Sequence, residues 1–307
     1  MEIKEVKVPV PWGHIAVKVW GDEKNTPVLV IHGLLDNAGA MDRLLQQLPT
    51  NFCYYAMDLP GHGRSSHWPQ YAMIHSIDNL LSYKAVTDYF QRNEYILLGH
   101  SWGAQIGLLF AIIYPEVVTK LIMLDTLFVY PITSGQFRPA MQEYHRMYYS
   151  TMEKLQKRKA PEYTREEALD RLMNQRRYGE ISQPAAEAIL ARNMIPTSDG
   201  KLKFATDQRL KFFVSLFTDF RYITDVLKKN PVNCPVLVIL ASESNLQTVY
   251  FKPVLKLYQK QKNFTVKEVE GNHDVHNNHP ERVAPLICKF LIEETKTKSK
   301  KAVKSKL

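Results

Sequence analysis

The fold is decided by residues 95–114, YILLGHSWGAQIGLLFAIIY, in which a short apolar run meets a Gly-x-Ser-x-Gly motif and an apolar segment of helical length. This order predicts a buried strand, a very tight turn and a helix that begins at Ser101. Gly99 and Gly103 suit the turn because a Cβ at either position would collide with the strand or helix beside it. We predict that Ser101, at the positive end of that helix, is a nucleophile. The alternative is a Gly/Ser turn that only joins two core elements.

The length and composition are those of a globular α/β protein. The chain has 307 residues, of which 45% are hydrophobic and 23% charged, enough for one large domain with an insertion or for two ordinary domains. No apolar run approaches the length that spans a bilayer, and the alternating start lacks the apolar core of a secretory signal. Three widely spaced cysteines in apolar surroundings favour reduced core thiols over disulfides or a metal site.

The net charge of +9 is concentrated at the end of the chain. Residues 295–307 contain six lysines and no acid, which leaves 34 basic residues against 31 acidic ones elsewhere. A solvated, flexible basic tail is the ordinary interpretation of such a run. We therefore predict no nucleic-acid-binding face.

Short apolar runs alternate with helical patterns along most of the chain. The runs predict strands at 28–31, 52–57, 95–100, 120–124, 236–240 and 264–269, after an antiparallel hairpin at 3–10 and 14–20. Short connections between strand and helix favour a mostly parallel central sheet with helices on both faces. The predicted fold class is therefore α/β.

The alternation stops between the fourth and fifth of these strands. Residues 127–230 contain charged helical segments and no good pattern for a buried strand. We predict an α/β core formed by residues 1–126 and 231–293, a helical lid inserted at 127–230, and a basic tail at 294–307. The lid is rich in aromatic residues, which favours an apolar acyl group in the substrate.

A serine nucleophile needs a base, and the predicted edge of the sheet supplies one. In open parallel sheets the active site lies beyond the carboxyl ends of the strands. His273 follows the last predicted strand, and imidazole titrates near neutral pH, so we predict that His273 is the base. His276 and His279 are the nearest alternatives. We expect the backbone N–H groups of Leu34 and Trp102 to form the oxyanion hole.

The acid that orients the base is ambiguous in the sequence. The usual place is a few residues after the strand at 236–240, where Glu243 is the only carboxylate and Ser244 stands closer to the expected position. Asp125, at the end of the preceding predicted strand, is the second candidate. We expect only one of the two carboxylates to complete a triad.

Several motifs together resemble the α/β-hydrolase fold: HG at 32–33, DLPGHGRS at 58–65, GHSWG at 99–103 and GNH at 271–273. Within that fold, HGLLDNAG at 32–39 and LPGHGRSSH at 59–67 resemble the serine hydrolase-like proteins of animals, the kraken-type group. The resemblance implies a lidded hydrolase without cofactor or metal, often placed in peroxisomes. By position it supports Ser101 as nucleophile and His273 as base. The chain departs from the pattern in lacking an aspartate just after 236–240.

The chain ends in Ser305-Lys306-Leu307, which matches the tripeptide read by the peroxisomal import receptor. We expect a peroxisomal protein, alongside a cytoplasmic pool. A plain solvated end is the alternative.

Together these features predict a serine hydrolase that cleaves carboxyl esters, or thioesters, of apolar acyl substrates through an acyl-enzyme. Two other functions stay open at this point. One is a ligand-sensing protein that keeps the pocket but turns over slowly, and the other is a scaffold whose basic tail is the functional part.

Overall fold

An eight-stranded sheet forms the centre of the protein in a computed structural model, which describes residues 1–70, 72, 74–157, 160–176, 179–211, 219–244 and 251–293. Its strands are β1 (Ile3–Val10), β2 (Gly13–Trp20), β3 (Thr26–Ile31), β4 (Phe52–Met57), β5 (Tyr95–His100), β6 (Val118–Leu124), β9 (Val236–Ala241) and β10 (Phe264–Val269). They lie in the order β1-β2-β4-β3-β5-β6-β9-β10.

The sheet is parallel except at one edge. β1 and β2 form an antiparallel hairpin, and β2 pairs antiparallel with β4. All further neighbours in the sheet pair in parallel. The carboxyl ends of β3, β5, β6, β9 and β10 therefore meet at the same edge, where ligands bind in sheets of this kind.

Helices cover both faces of the sheet because successive side chains of its strands point to opposite sides. Leu97 of β5 belongs to one hydrophobic cluster, while Ile96 and Leu98 belong to the other. The first cluster includes residues of α2, α3 and α8, and the second includes residues of α1 and α10. These helices are α1 (Asp42–Leu45), α2 (Leu80–Tyr89), α3 (Ser101–Ile113), α8 (Lys252–Gln259) and α10 (Pro280–Ile292), and a short α9 (Val275–Asn278) precedes α10.

The segment between β6 and β9 is mainly helical. It contains α4 (Phe137–Lys157), α5 (Arg165–Asn174), α6 (Gln183–Asn193) and α7 (Phe220–Lys229), together with a small antiparallel pair, β7 (Met194–Pro196) and β8 (Leu202–Phe204). α5 and α6 pack together in a third hydrophobic cluster that also contains Ala40 of the core. The division into core, lid and tail stays a prediction.

The predicted fold class is confirmed, and the predicted strands match those of the sheet to within two residues at each end. The pair β7–β8 was missed because its residues are half-buried or exposed and lack a core-strand pattern. Phe212, Phe213 and Phe217, part of the predicted lid, lie outside the described residues, as does the tail with Ser305, Lys306 and Leu307. In the part of the chain described here, no helix combines the length and the apolar character needed to cross a bilayer.

Candidate active site

Ser101 sits at a strained junction between strand β5 and helix α3. Its φ of +48° lies in the left-handed region that side chains other than glycine rarely adopt. A Cβ at Gly99 would lie 2.6 Å from the backbone of Ala104, and one at Gly103 would lie 2.4 Å from the carbonyl oxygen of His32. The two glycines therefore allow the strand, the turn and the helix to approach closely enough to present the serine.

Ser101, His273 and Asp125 are connected in series. The Oγ of Ser101 lies 2.9 Å from Nε2 of His273, and Nδ1 of His273 lies 2.5 Å from Oδ2 of Asp125. His273 and Asp125 are buried, whereas Ser101 is half-buried. Each follows a different strand, so three distant parts of the sequence meet at the carboxyl edge of the sheet. In this arrangement the imidazole can accept the serine proton while the carboxylate holds its other nitrogen.

Of the two acids that the sequence leaves open, the structure places Asp125 beside His273. Its Oδ1 accepts a hydrogen bond from the backbone N–H of Ala241 (2.9 Å), and its Oδ2 accepts one from the Ser244 hydroxyl (2.5 Å). The Glu243 side chain is exposed, and the backbone N–H of that residue donates to Gly271. Asp125 follows β6, a neighbour of β9 in the sheet, and its carboxylate lies at the end of β9 beside the imidazole of His273.

Ser244 is a site residue that sequence reasoning did not assign. It stands near the position after β9 where an aspartate was expected, and its hydroxyl contacts the carboxylate that has replaced that aspartate. The available signal was the combination of a serine at the expected acid position and an aspartate, Asp125, directly after the neighbouring strand.

The two loops expected to supply the oxyanion donors lie against each other. A Cβ at Gly33, the residue before Leu34, would be 3.4 Å from the Cβ of Ser101. Trp102 is the second residue of α3, and its indole N–H donates to the Ser76 hydroxyl at 3.1 Å. Gly33 and Ser101 therefore lie close together, and the role of the Leu34 and Trp102 N–H groups in binding an oxyanion stays a prediction.

Four other buried histidines surround this site, and burial lowers the pKa of each of them. The pKa of His62 and that of His276 are lowered to about 3, and the pKa of His100 and His32 are lowered as well. Burial therefore keeps these imidazoles neutral, and two of them accept hydrogen bonds from the backbone. His62 accepts the N–H of Leu35, and His32 accepts the N–H of Leu59.

Neither alternative base contacts the serine. His276 is buried against the ring of His100, at 4.0 Å between ring centroids, and neither of its ring nitrogens has a hydrogen-bond partner among the described residues. His279 is about half exposed and faces Glu281.

A second polar cluster lies directly behind the site. Ligand atoms of Asp36, His100 and Asp274 lie within 4.8 Å of one another, a spacing that a metal ion could bridge. The Arg176 guanidinium already forms ion pairs with both carboxylates, at 2.7 Å to Asp36 and 2.9 Å to Asp274. A side chain of the inserted segment therefore already supplies one positive charge to the two carboxylates that would ligate a metal.

A largely parallel sheet with a serine on a strained strand-to-helix turn, and a histidine and an acid at the same edge, defines the class of α/β hydrolases. Comparison with known proteins agrees. Residues 26–280 match the alpha/beta hydrolase fold family. The chain is 33% identical over 299 residues to a "Serine hydrolase-like protein" of Mus musculus, covering 94% of this chain and 95% of the relative. It is 32% identical to a "Probable serine hydrolase" of Drosophila melanogaster, over 94% of this chain and 88% of that protein.

A solved structure has the same fold. The crystal structure of a hypothetical protein from Pseudomonas aeruginosa superposes with a TM-score of 0.81 and 27% sequence identity, covering 94% of this chain and all of the other. The chain therefore belongs to the α/β-hydrolase fold family and, within it, to the serine hydrolase-like proteins, which confirms the resemblance seen in its motifs.

Proposed function

We propose that the protein is a serine hydrolase that cleaves carboxyl esters, or thioesters, of apolar acyl groups through an acyl-enzyme. The observation that carries this proposal is the continuous series from Ser101 through His273 to Asp125. Family membership supports hydrolysis in general, and the series of contacts supports a serine as the attacking group.

The first half of the reaction uses all three side chains. His273 Nε2 removes the proton as Ser101 Oγ attacks the carbonyl carbon of the substrate. The resulting oxyanion is stabilised by the N–H groups of Leu34 and Trp102, each worth on the order of 3 kcal/mol in related sites. The imidazolium, held by Asp125, gives its proton to the leaving oxygen or sulfur, and the acyl group stays on Ser101.

The second half regenerates the enzyme. His273 removes a proton from a water molecule, which attacks the acyl carbon and releases the carboxylic acid. The imidazolium then returns its proton to Ser101, so no net charge or proton is left on the protein.

Aromatic side chains next to the core support an apolar acyl group. Tyr130 follows the strand that carries the acid and stacks edge-on against Phe251, with ring centroids 4.8 Å apart, and Phe220 contacts the same ring at 5.6 Å. Residues 127–230 are rich in aromatic side chains, and removing apolar surface of a bound acyl group from water is favourable by about 25 cal/mol per Å².

A substrate panel tests the proposed function. Purified protein is assayed on p-nitrophenyl esters and acyl-coenzyme A thioesters of matched chain length, from acetyl to palmitoyl, and is reacted with a fluorophosphonate probe. We expect labelling and turnover, with kcat/KM rising by about tenfold or more for each few methylenes added before it levels off. Labelling without turnover of any ester or thioester in the panel would favour the ligand-sensing alternative. The absence of both labelling and turnover would contradict an activated serine.

We also propose that the last three residues direct the protein to peroxisomes through the import receptor, with a cytoplasmic pool remaining. The proposal rests on the Ser305-Lys306-Leu307 tripeptide and on the basic residues before it. A fluorescent protein carrying residues 295–307 should collect in peroxisomes, and the same fusion without Leu307 should stay diffuse. A diffuse signal from the intact tail would contradict the proposal.

A further inference from the structure

One arginine of the inserted segment joins the two loops on which the proposed chemistry depends. Arg176, just after α5, donates from Nη1 to Oδ1 of Asp36 (2.7 Å) and from Nη2 to Oδ2 of Asp36 (3.2 Å). The same Nη2 donates to Oδ1 of Asp274 at 2.9 Å. Asp36 lies two residues after Leu34, and Asp274 directly follows His273. Both carboxylates are almost fully buried, and the Arg176 side chain is only 14% exposed.

The backbone of both aspartates is held in hydrogen-bonded turns. The N–H of Asp36 donates to the carbonyl of Gly33 and so closes a turn that contains Leu34 and Leu35. Leu35 has a φ of +66° in this turn. The carbonyl of Asp274 accepts the N–H groups of Asn277 and Asn278, both at 2.9 Å, at the start of α9. A movement of either carboxylate is therefore passed to the residue before or after it in the site.

The charges of this cluster depend on the arginine. Burial alone would raise the pKa of Asp36, but the Arg176 guanidinium outweighs burial and lowers it. Burial, together with the neighbouring Asp36, raises the pKa of Asp274 even though Arg176 opposes that rise. A planar guanidinium can contact two carboxylates at fixed angles, which an ammonium cannot do.

The inserted segment contacts the loop of Leu34 and Asp36 at two further residues. Asn37 donates from Nδ2 to the carbonyl of Ile189 in α6 at 2.9 Å. A Cβ at Gly39 would lie 2.1 Å from the carbonyl oxygen of Ala188, so the helix and the loop are in direct backbone contact. Arg192 of α6 also pairs with the buried Asp58, at 2.8 Å. Among the described residues, no hydrogen bond or ion pair connects this pair to Asp274 or His273.

We propose that Arg176 is a positioning residue, which sets the register between the loop of Leu34 and the loop of His273 and makes that register depend on docking of the inserted segment. Its effect on catalysis rests on the proposed function, whereas its effect on the loops does not. Displacing a catalytic group by about 1 Å can cost a hundredfold in rate, so a side chain that touches no substrate can still control turnover.

The test combines hydrogen exchange with kinetics on the full chain. In Arg176→Gln, amide exchange at residues 36 and 275–279 should speed up by about tenfold or more in both loops together. In the control Arg192→Gln, which breaks a buried ion pair of the same segment, exchange at 275–279 should stay within about twofold of wild type. With p-nitrophenyl butyrate, Arg176→Gln should lower kcat by about tenfold or more while KM changes less than about threefold. Arg176→Lys should not restore kcat.

Each outcome decides between positioning and a plain structural role. Unchanged exchange at 275–279 in folded Arg176→Gln, or full recovery of kcat by Arg176→Lys, would overturn the proposal. If Arg176→Gln does not fold, Asp274→Ala removes only the contact to the base-bearing loop, and exchange there should rise while residue 36 is unaffected. If Arg176→Gln speeds up exchange in both loops but wild-type protein has no esterase activity, the positioning role is upheld and the proposed function is contradicted instead.

Discussion

Replacing Ser101 by alanine should reduce ester turnover by roughly 10⁴-fold to 10⁶-fold and abolish labelling by a fluorophosphonate. The hydroxyl that lies 2.9 Å from His273 is the only atom group this substitution removes from the series of contacts. His273 would then have no serine proton to accept, and binding with the oxyanion donors would supply only the residual rate. Turnover and labelling of wild type and variant are measured side by side at equal protein concentration.

A second variant separates loss of chemistry from loss of fold. Ser101→Gly also lacks the hydroxyl, but it relieves the strain of a φ of +48°. Its free energy of unfolding, measured by denaturant titration, should therefore exceed that of Ser101→Ala by about 1 kcal/mol. Both should be inactive. Activity of either variant within about tenfold of wild type would show that another group is the nucleophile.

Replacing Asp125 by asparagine should lower kcat by about 10³-fold to 10⁴-fold, close to the loss in other enzymes with this arrangement. The carboxylate accepts hydrogen bonds from the Ala241 N–H and the Ser244 hydroxyl and also faces Nδ1 of His273. An amide has one oxygen, so its NH₂ must meet one of these groups. If the NH₂ replaces Oδ2, the imidazole is held with its proton on Nε2 and cannot accept the proton of Ser101.

Glu243→Gln is the matched control for that result. The Glu243 side chain is exposed, so its neutralisation should leave kcat within about twofold of wild type. Measured kcat values for the two variants and the unfolding midpoint of each complete the comparison. An equal or larger loss in Glu243→Gln, with Asp125→Asn near wild type, would reverse the assignment of the acid.

The sheet and two members of the series could be predicted because the signals are local. A strand, a glycine-bounded serine and an apolar helix occur together at 95–114, and His273 follows directly on the last strand. Strand order and the position of each residue at a strand end then bring these side chains to one edge without knowledge of their contacts.

The acid could be narrowed to two candidates but not chosen from the sequence. Asp125 and Glu243 both follow strands at the correct edge, and β9, which precedes Glu243, is the direct neighbour of the strand that precedes His273. Only the contact between Oδ2 of Asp125 and Nδ1 of His273 shows which carboxylate faces the imidazole. Arg176 gave no signal at all, because a charged residue after a charged helix is typical of a solvated surface. Its burial against Asp36 and Asp274 arises from packing of the inserted segment on the core, a long-range property that no local pattern contains.

The most direct test of the account is to locate the covalent intermediate. Wild-type protein is mixed with a p-nitrophenyl ester, quenched in acid within the first turnover, digested and analysed by tandem mass spectrometry. The account predicts that the mass of one acyl group is added to the peptide containing Ser101, and that it disappears as free acid accumulates. Ester turnover with the acyl group on a different residue, or with no covalent adduct under conditions that trap the intermediate of a known serine esterase, would contradict it.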